Sequence, residues 1–386
     1  DMRFVFRDAW TADLMPEGRN KNRLSALYFE HRSIPLATNI RLGRQSATGG
    51  GVLGRFDGVQ AGYGFRPKWR LNAVAGVPVD TLLDSKRRFY GGWLEAEALT
   101  PELSGSVYGI QQTIDGEIDR RALGLELRYF NGGVSASSVF DYDTILKGLN
   151  IASVQGTWIG EDSTTVNALY DRRSTPMLML GNALFFQDPL APNLATRLKD
   201  LLGSSTIEAL RQNVKATTSY TTQALLGVTR PVSKNWQAGA DIRLTNVGAI
   251  APVPVILPEG APSTGNLWSL GGQLIGTNLY SERDTHVFSV TYLTGPSYSG
   301  KLFIYNNSTQ LDEAWQLEPS LKFYLQNDNN GTRTTRWSPG LRVSWRLGKQ
   351  ATLESEISLE RSKLHSSTRD EKSSRAFYYL GGRFDF

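Results

Sequence analysis

Along most of the chain apolar and polar residues alternate one by one, which is the period of a β-strand with unlike faces and not the 3.6 of a helix. In the stretch 36–43, Leu36, Thr38, Ile40 and Leu42 fall on one face, and Asn39, Arg41 and Gly43 on the other. Residues 56–65 put Val59, Ala61, Tyr63 and Phe65 on one side. The rhythm continues through 69–77, 88–98, 103–113, 121–130, 134–142, 149–159 and 164–173, and resumes from 217 to the end. In the last strand, 375–386, Tyr378, Leu380, Gly382, Phe384 and Phe386 share the apolar face, opposite Tyr379, Gly381, Arg383 and Asp385.

Short and long connections separate these strands. The links at 66–68, 100–102, 131–133 and 160–163 are short, whereas 77–88, 113–120 and above all 174–215 are longer. Such alternation is the pattern of periplasmic turns and extracellular loops, and it predicts a first strand rising from the periplasm. A polar turn is expected at Pro16-Glu17-Gly18, and the glycine-rich 45–55 reads as a flexible loop. It is not a phosphate cradle, because no Gly-Lys-Ser/Thr follows and no helix opens after it. A proline-rich loop is predicted over 247–265, since proline cannot donate to a ladder. Within 174–215 the period changes to 3.6: Leu198, Leu201 and Leu202, then Ile207, Leu210 and Val214, are spaced for one face. Two short helices are expected there, with Gly203 as a stop, Ser205 as N-cap and Glu208 closing a capping box.

Composition extends this picture. The 386 residues are 40% hydrophobic with a mean hydropathy of −0.31. No segment approaches the ~18 apolar residues of a spanning helix, but a membrane barrel needs none, because only alternate residues meet lipid. Thirty-eight glycines, 15 tyrosines, 16 phenylalanines and 9 tryptophans suit strands, tight turns and interfacial belts. With no cysteine there is neither a disulfide framework nor a thiolate metal site. The net charge of +5 is spread singly among carboxylates, so no nucleic-acid partner is expected. The opening DMRFVFRDAW lacks the features of a secretory signal. The chain is therefore expected to be mature or trimmed of an upstream periplasmic domain; with no room expected for a separate plug before the first strand, a TonB-dependent receptor is disfavoured.

The predicted fold is all-β: a transmembrane antiparallel β-barrel over residues 1–386, of about 18 strands (about 16 to 20), with a short helical insertion at 174–215. If Leu341, Val343 and Trp345 face lipid, then Arg336, Arg342 and Arg346 face inward, as do Glu354, Glu356 and Glu360 on the next strand. By the same parity Arg41, Arg70, Glu95, Glu97, Glu126 and Arg128 are pore-lining candidates in the first half. Asp171, Arg173, Asp241, Arg243, Glu318, Lys322, Arg383 and Asp385 are candidates in the second. The mixed signs predict cross-strand bracing of a wet lumen, because charges buried without water would all have to be paired.

Candidate chemistry is sparse. Of the three histidines, His286 lies two residues from Asp284 on one side of a strand, an arrangement that can activate water. The reading preferred is a strand-end histidine beside a carboxylate, so no enzyme, catalytic residue, cofactor or metal is expected. His365-Ser366 sits in a charged loop, without a fixed base.

Two resemblances sharpen the expectation. Gly381-x-x-Phe384-x-Phe386 resembles the C-terminal signal by which bacterial outer-membrane barrels are recognised for insertion, which implies an outer-membrane location and contact with the barrel-assembly machinery. The stretch 41–59, RLGRQSATGGGVLGRFDGV, is similar to alginate-export and related porins through Gly43, Arg44, Gln45, Phe56, Asp57 and Gly58. That likeness implies export of an anionic polysaccharide through an arginine-rich constriction, and it carries over Arg44 and Asp57 as pore residues. The mixed inward charge departs from a dominantly basic pore. The leading expectation is a channel exporting or passing a saccharide or exopolysaccharide. A general diffusion porin is the alternative, then a protein-secretion or scaffold barrel, and last a barrel hydrolase. Outer-membrane lipids, lipopolysaccharide and periplasmic export proteins are the partners this implies.

Overall fold

The computed structural model describes residues 1–12, 20–52, 54–79, 83–188, 190, 193–348 and 350–384. The turn expected at Pro16-Glu17-Gly18, and Asp385 and Phe386 of the last strand, lie outside them. Among the described residues are twenty strands in an antiparallel sheet, one 3-10 helix and two short α-helices. Twenty is the upper end of the expected range. No helix there is long and apolar enough to cross a membrane.

The chain divides into two compact units. The first comprises Asp1–Gly156, Tyr170–Thr221 and Val247–Ser263, and the second Thr157–Leu169, Thr222–Asn246 and Thr264–Phe386.

In the first unit, β1 (Met2–Thr11), β2 (Lys21–Ser33), β3 (Thr38–Ser46), β4 (Arg55–Arg66), β5 (Trp69–Pro78), β6 (Arg87–Ala96), β7 (Leu103–Ile114), β8 (Glu117–Asn131) and β9 (Val134–Asp143) each pair with the next. β10 (Gly148–Ile159) and β11 (Thr165–Thr175) follow, each with part of its length assigned to the second unit. The register carries the alternation from strand to strand: Leu42 stands opposite Val59, Val59 opposite Ala75, and Ala75 opposite Tyr90. Leu42, Tyr63, Leu71, Tyr90, Val107 and Leu123 are all half-exposed or more. Because side chains change face with each residue, a one-residue slip would reverse this whole surface.

The link expected at 113–120 is a correction. β7 and β8 run on to a two-residue turn, Asp115-Gly116, with φ of 49° and 98°. Two positive φ values are what a type I′ hairpin demands, and Asp-Gly is a favoured pair for it.

In the second unit, after β12 (Ser219–Pro231) and β13 (Trp236–Val247), the strands β14 (Leu267–Thr277), β15 (Asp284–Thr294), β16 (Tyr298–Gln310), β17 (Trp315–Asp328), β18 (Arg333–Leu347), β19 (Ala351–His365) and β20 (Asp370–Phe384) form a second meander. Its apolar face runs through Val290, Phe303, Phe323 and Trp337, and through Trp315, Trp345, Leu353 and Gly382, each opposite the next. The Trp315 and Trp345 rings stack at 5.2 Å and 7°. Such aromatic pairs contribute beyond their buried area. In β20, Tyr378, Leu380 and Phe384 are exposed on this face, as the alternation predicts.

The segment 176–218 holds a 3-10 turn (Leu180–Leu184), α1 (Leu198–Leu201) and α2 (Ile207–Ala216). The helix N-cap is a correction: Thr206, not Ser205, accepts the Ala209 amide at 3.2 Å, so Glu208 falls in the first turn and closes no capping box on Ser205. Leu178, Leu180, Ala183, Leu184, Leu198, Leu210 and Val214 bury one apolar cluster with Ile114 of β7 and Leu146. Polar ties accompany it. Gly181 N–H donates to Asp119 (2.7 Å), Leu178 N–H to Asn150 (3.0 Å) and Leu198 N–H to the Ser85 hydroxyl (2.9 Å). The insertion gains its core by borrowing wall residues, since ~40 residues alone bury too little.

Asp115, in the β7–β8 turn, is a further tie. Partial burial alone would push its carboxyl up, but the Lys86 amide, the Ser85 hydroxyl and the amides of Lys199 and Leu198 hold it below its usual value. A depressed carboxyl stabilises above the unfolded value of about 4 and stops doing so as pH falls through the lower folded value. Proteolysis within 176–218 is therefore expected to accelerate in acid below about pH 4, and Asp115→Asn should show the faster rate already at neutral pH. Leu198→Ala, at a position with no exposure, should destabilise the docked insertion by about 2–5 kcal/mol, measured by hydrogen exchange of the α2 amides.

Candidate functional site

The face opposite the apolar one carries the charged and polar side chains, and in each unit it forms distinct recesses. In the first unit Arg41 reaches Glu30 at 3.0 Å and lies 4.8 Å from the centre of the Tyr28 ring. Arg70 stands directly opposite Glu95. Glu95, Glu97, Glu126 and Arg128 meet around a recess of about 240 Å³ that also takes in Trp93, Ser104 and Ser106. Arg128 is 3.7 Å from Glu126, leaving three carboxylates to one guanidinium.

The glycine-rich loop forms one side of that recess, through Thr48 and Gly49. Expected to be flexible, it is instead laid onto the polar face. A Cβ added to Gly50 (φ +72°) would lie 2.5 Å from the Trp93 ring, and one added to Gly51 (φ +67°) 2.3 Å from Tyr108. Only glycine supplies both the conformation and the clearance. Beneath it Phe56, Val74, Phe89, Trp93, Tyr108, Ile110 and Ala122 form an apolar cluster with Ala47 and Val52. The Phe56 and Phe89 rings meet edge-on at 5.1 Å.

A buried polar network pins the loop from below. Arg120, on β8, donates to the Gly51 carbonyl at 3.0 Å and to Asp141 at 2.5 Å. Asp141 also accepts from the Tyr108 hydroxyl (2.7 Å) and from Asn150 (2.9 Å). The Arg120 and Asp141 side chains are 2% and 1% exposed. A buried pair of this kind tolerates the loss of neither partner. None of these residues stood out in the sequence; the one available signal was adjacent charge, Asp119-Arg120, where a β-bulge crowds both inward.

Arg44 and Asp57 require a correction. They pair with each other in two hydrogen bonds of 2.8 and 2.7 Å, but they share the parity of Leu42 and Val59 and so stand on the apolar face. Alternation assigns that face, and the resemblance that made them pore residues conflicts with it.

In the second unit Arg342 bridges β17 and β19, 3.7 Å from Glu318 and 2.7 Å from Glu354, with Glu356 directly opposite in register. Glu318, Arg342 and Glu356 line a recess of about 310 Å³ with Asn306, Ser308 and Ser320. Arg336 lies 3.9 Å from Glu360, and Arg243 3.8 Å from Asp241. Further toward the β16–β17 and β18–β19 turns, Arg283, Glu313, Arg346 and Arg383 border a recess of about 850 Å³. Gly381 lies beneath the Tyr379 ring, where a Cβ would meet the hydroxyl at 2.1 Å. Phe386 is outside the described residues.

Asp284 and His286 come together at 3.6 Å, but the carboxylate accepts the backbone amides of Leu279 (2.8 Å), Tyr280 (2.6 Å) and Ser281 (2.8 Å). The imidazole meets the Tyr305 hydroxyl at 3.0 Å. This arrangement staples the β14–β15 turn.

No protein-family model and no curated protein matches the chain. Among solved structures, it is similar to a bacterial polysaccharide outer membrane secretin (11% identity, 82% of this chain and 97% of that one, TM-score 0.35). It is similar also to the outer-membrane expressed OmpT of Vibrio cholerae (10%, 82% and 98%, 0.40) and to the copper transporter OprC (10%, 90% and 71%, 0.40). Overlaps of this size carry neither a family nor an activity.

Arg120→Met should cost about 3–5 kcal/mol, because it leaves Asp141 buried and unpaired. The expected signs are a lower urea midpoint and new protease cleavage within 47–54, while the β14–β20 amides keep their exchange protection.

Proposed function

We propose that this chain is an outer-membrane channel: the sheet closes on itself in the bilayer, its apolar face meets lipid, and its polar face lines a hydrated passage. The observation that carries this reading is the pairing of unlike faces. One face presents exposed Leu, Val, Tyr, Phe and Trp strand after strand. The other presents Glu318, Arg342, Glu354 and Glu356, and Glu95, Glu126 and Arg128. Water on the apolar side and hydrocarbon on the charged side would each be costly. A lipid-facing sheet must also close, because an open edge in hydrocarbon leaves backbone groups unsatisfied.

Loop lengths support an orientation with the odd-to-even connections outside. The connections from odd to even strands include 12–20, 47–54, 79–86, 176–218 and 248–266, whereas those from even to odd are all short, such as 34–37, 67–68 and 232–235. Long loops outside and short turns at the periplasm are the habit of such barrels.

The cargo favoured is a saccharide of little or no negative charge. Ser104 and Ser106 offer hydroxyls for a neutral sugar, and Glu95, Glu97 and Glu126 disfavour a polyanion. A general diffusion porin is the second reading, favoured by the balanced charge of the Glu318–Arg342–Glu354 group. Planar-bilayer recording tests both. A neutral oligosaccharide is expected to interrupt the current and an oligouronate to do so far less, while a saccharide-indifferent current would select the porin. Glu95→Gln/Glu97→Gln/Glu126→Gln should move the reversal potential toward anion selectivity. Failure of the purified chain to insert and conduct would overturn the channel itself.

A further inference from the structure

On the apolar face of the second unit, where β17 turns into β18 and β19 into β20, the side chains become cationic. Arg333 stands opposite His365, and Lys363 directly opposite Lys372, with Arg361 two residues along β19. All are exposed, and all share the parity of Trp337, Ile357 and Tyr378. Two like charges directly opposed in a ladder repel. Among the described residues no carboxylate comes within ion-pair distance of Arg333, Lys363 or Lys372; Asp370, on the same face, is engaged by His365 at 2.5 Å. The sheet therefore holds an uncompensated positive cluster spanning three strands, about 10 Å across.

What lies beside the cluster says which anion fits. Next along the strands is Trp337, with the Arg361 guanidinium 5.7 Å from its ring centre. Beyond it come exposed Leu341, Ile357, Leu359, Tyr378 and Leu380. Cations, then an aromatic ring, then an aliphatic surface is the order of groups along a lipid with a phosphorylated head, read from head to tail. A free phosphate would use the cations and leave the aliphatic surface bare.

We infer that this patch binds a lipid of the outer leaflet whose head carries more than one phosphate and a net negative charge, its phosphates held between Lys363, Lys372 and Arg333 and its acyl chains lying over Leu341, Ile357 and Tyr378. This rests on the reading that the apolar face meets lipid. The phosphates offset the Lys363–Lys372 repulsion, so bound lipid also tightens the β19–β20 pairing.

Native mass spectrometry of the full chain, released from detergent, tests the inference with three probes: diphosphorylated lipid A, phosphatidylethanolamine and inorganic phosphate. Wild type is expected to retain lipid A, whereas Lys363→Gln/Lys372→Gln should lose apparent affinity by about tenfold or more, the scale of two lysines at an anionic lipid surface. Lys363→Arg/Lys372→Arg should retain it. Equal retention of lipid A by the Gln pair, equal retention of phosphatidylethanolamine by wild type, or displacement of lipid A by millimolar inorganic phosphate would each overturn the site. Heat-modified gel mobility shows that a variant has assembled, and the single change Lys372→Gln gives the same readout where the double one does not assemble. A Gln pair that inserts and conducts like wild type yet keeps lipid A sinks this inference alone. A wild-type chain that fails to insert sinks the channel reading.

Discussion

A strand between two unlike surroundings obeys one constraint: its backbone must be satisfied by its neighbours while its side chains are sorted, one by one, to either side. Everything else in this protein is arranged around that alternation. It explains why Leu42, Val59, Ala75 and Tyr90 follow one another across four strands, and why Arg342 finds Glu318 and Glu354 on the reverse. A slip of a single residue would put guanidinium groups where the leucines are. The hairpin turns hold the count, and Asp115-Gly116 does so with two positive φ values in succession.

The polar face of the first unit is not uniformly polar. Phe56, Phe89, Trp93 and Tyr108 stand on it as one group, and Ile114 and Leu146 belong to another. Both groups are covered from the chain's own loops, the first by the glycine-rich segment and the second by the helical insertion. Because apolar contact is non-directional, each cover also needs a polar anchor to fix its position. Arg120 with Asp141 anchors the one; Asp119, Asn150 and Ser85 anchor the other. How far each cover stands off the sheet is thus set by buried side chains.

The strands were legible because alternation is local: each of the expected segments overlaps an observed strand, to the last one at Asp370–Phe384. The helices were legible for the same reason, through the spacing of Leu198, Leu210 and Val214. What sequence could not show was which inward positions would be covered. Phe56 and Phe89 lie 33 positions apart yet meet edge-on, and nothing in their neighbours marks them as a pair. The glycines at 49–51 looked like slack chain, since the ring each one packs against belongs to another strand. Arg44 and Asp57 show the opposite error, in which a short likeness was given more weight than parity; Thr206 displaced Ser205 as the cap by one position, within the usual slack of helix ends.

That last ion pair has a mechanical meaning. Arg44 and Asp57 grip each other in two short hydrogen bonds, so together they present almost no net charge to whatever adjoins them. A lone arginine on an oily wall would act as a float, pulling its strand toward water until the headgroup came free. On the channel reading, pairing with its neighbour removes that lift and would leave the depth at which β3 and β4 ride to the rings and aliphatic groups around them.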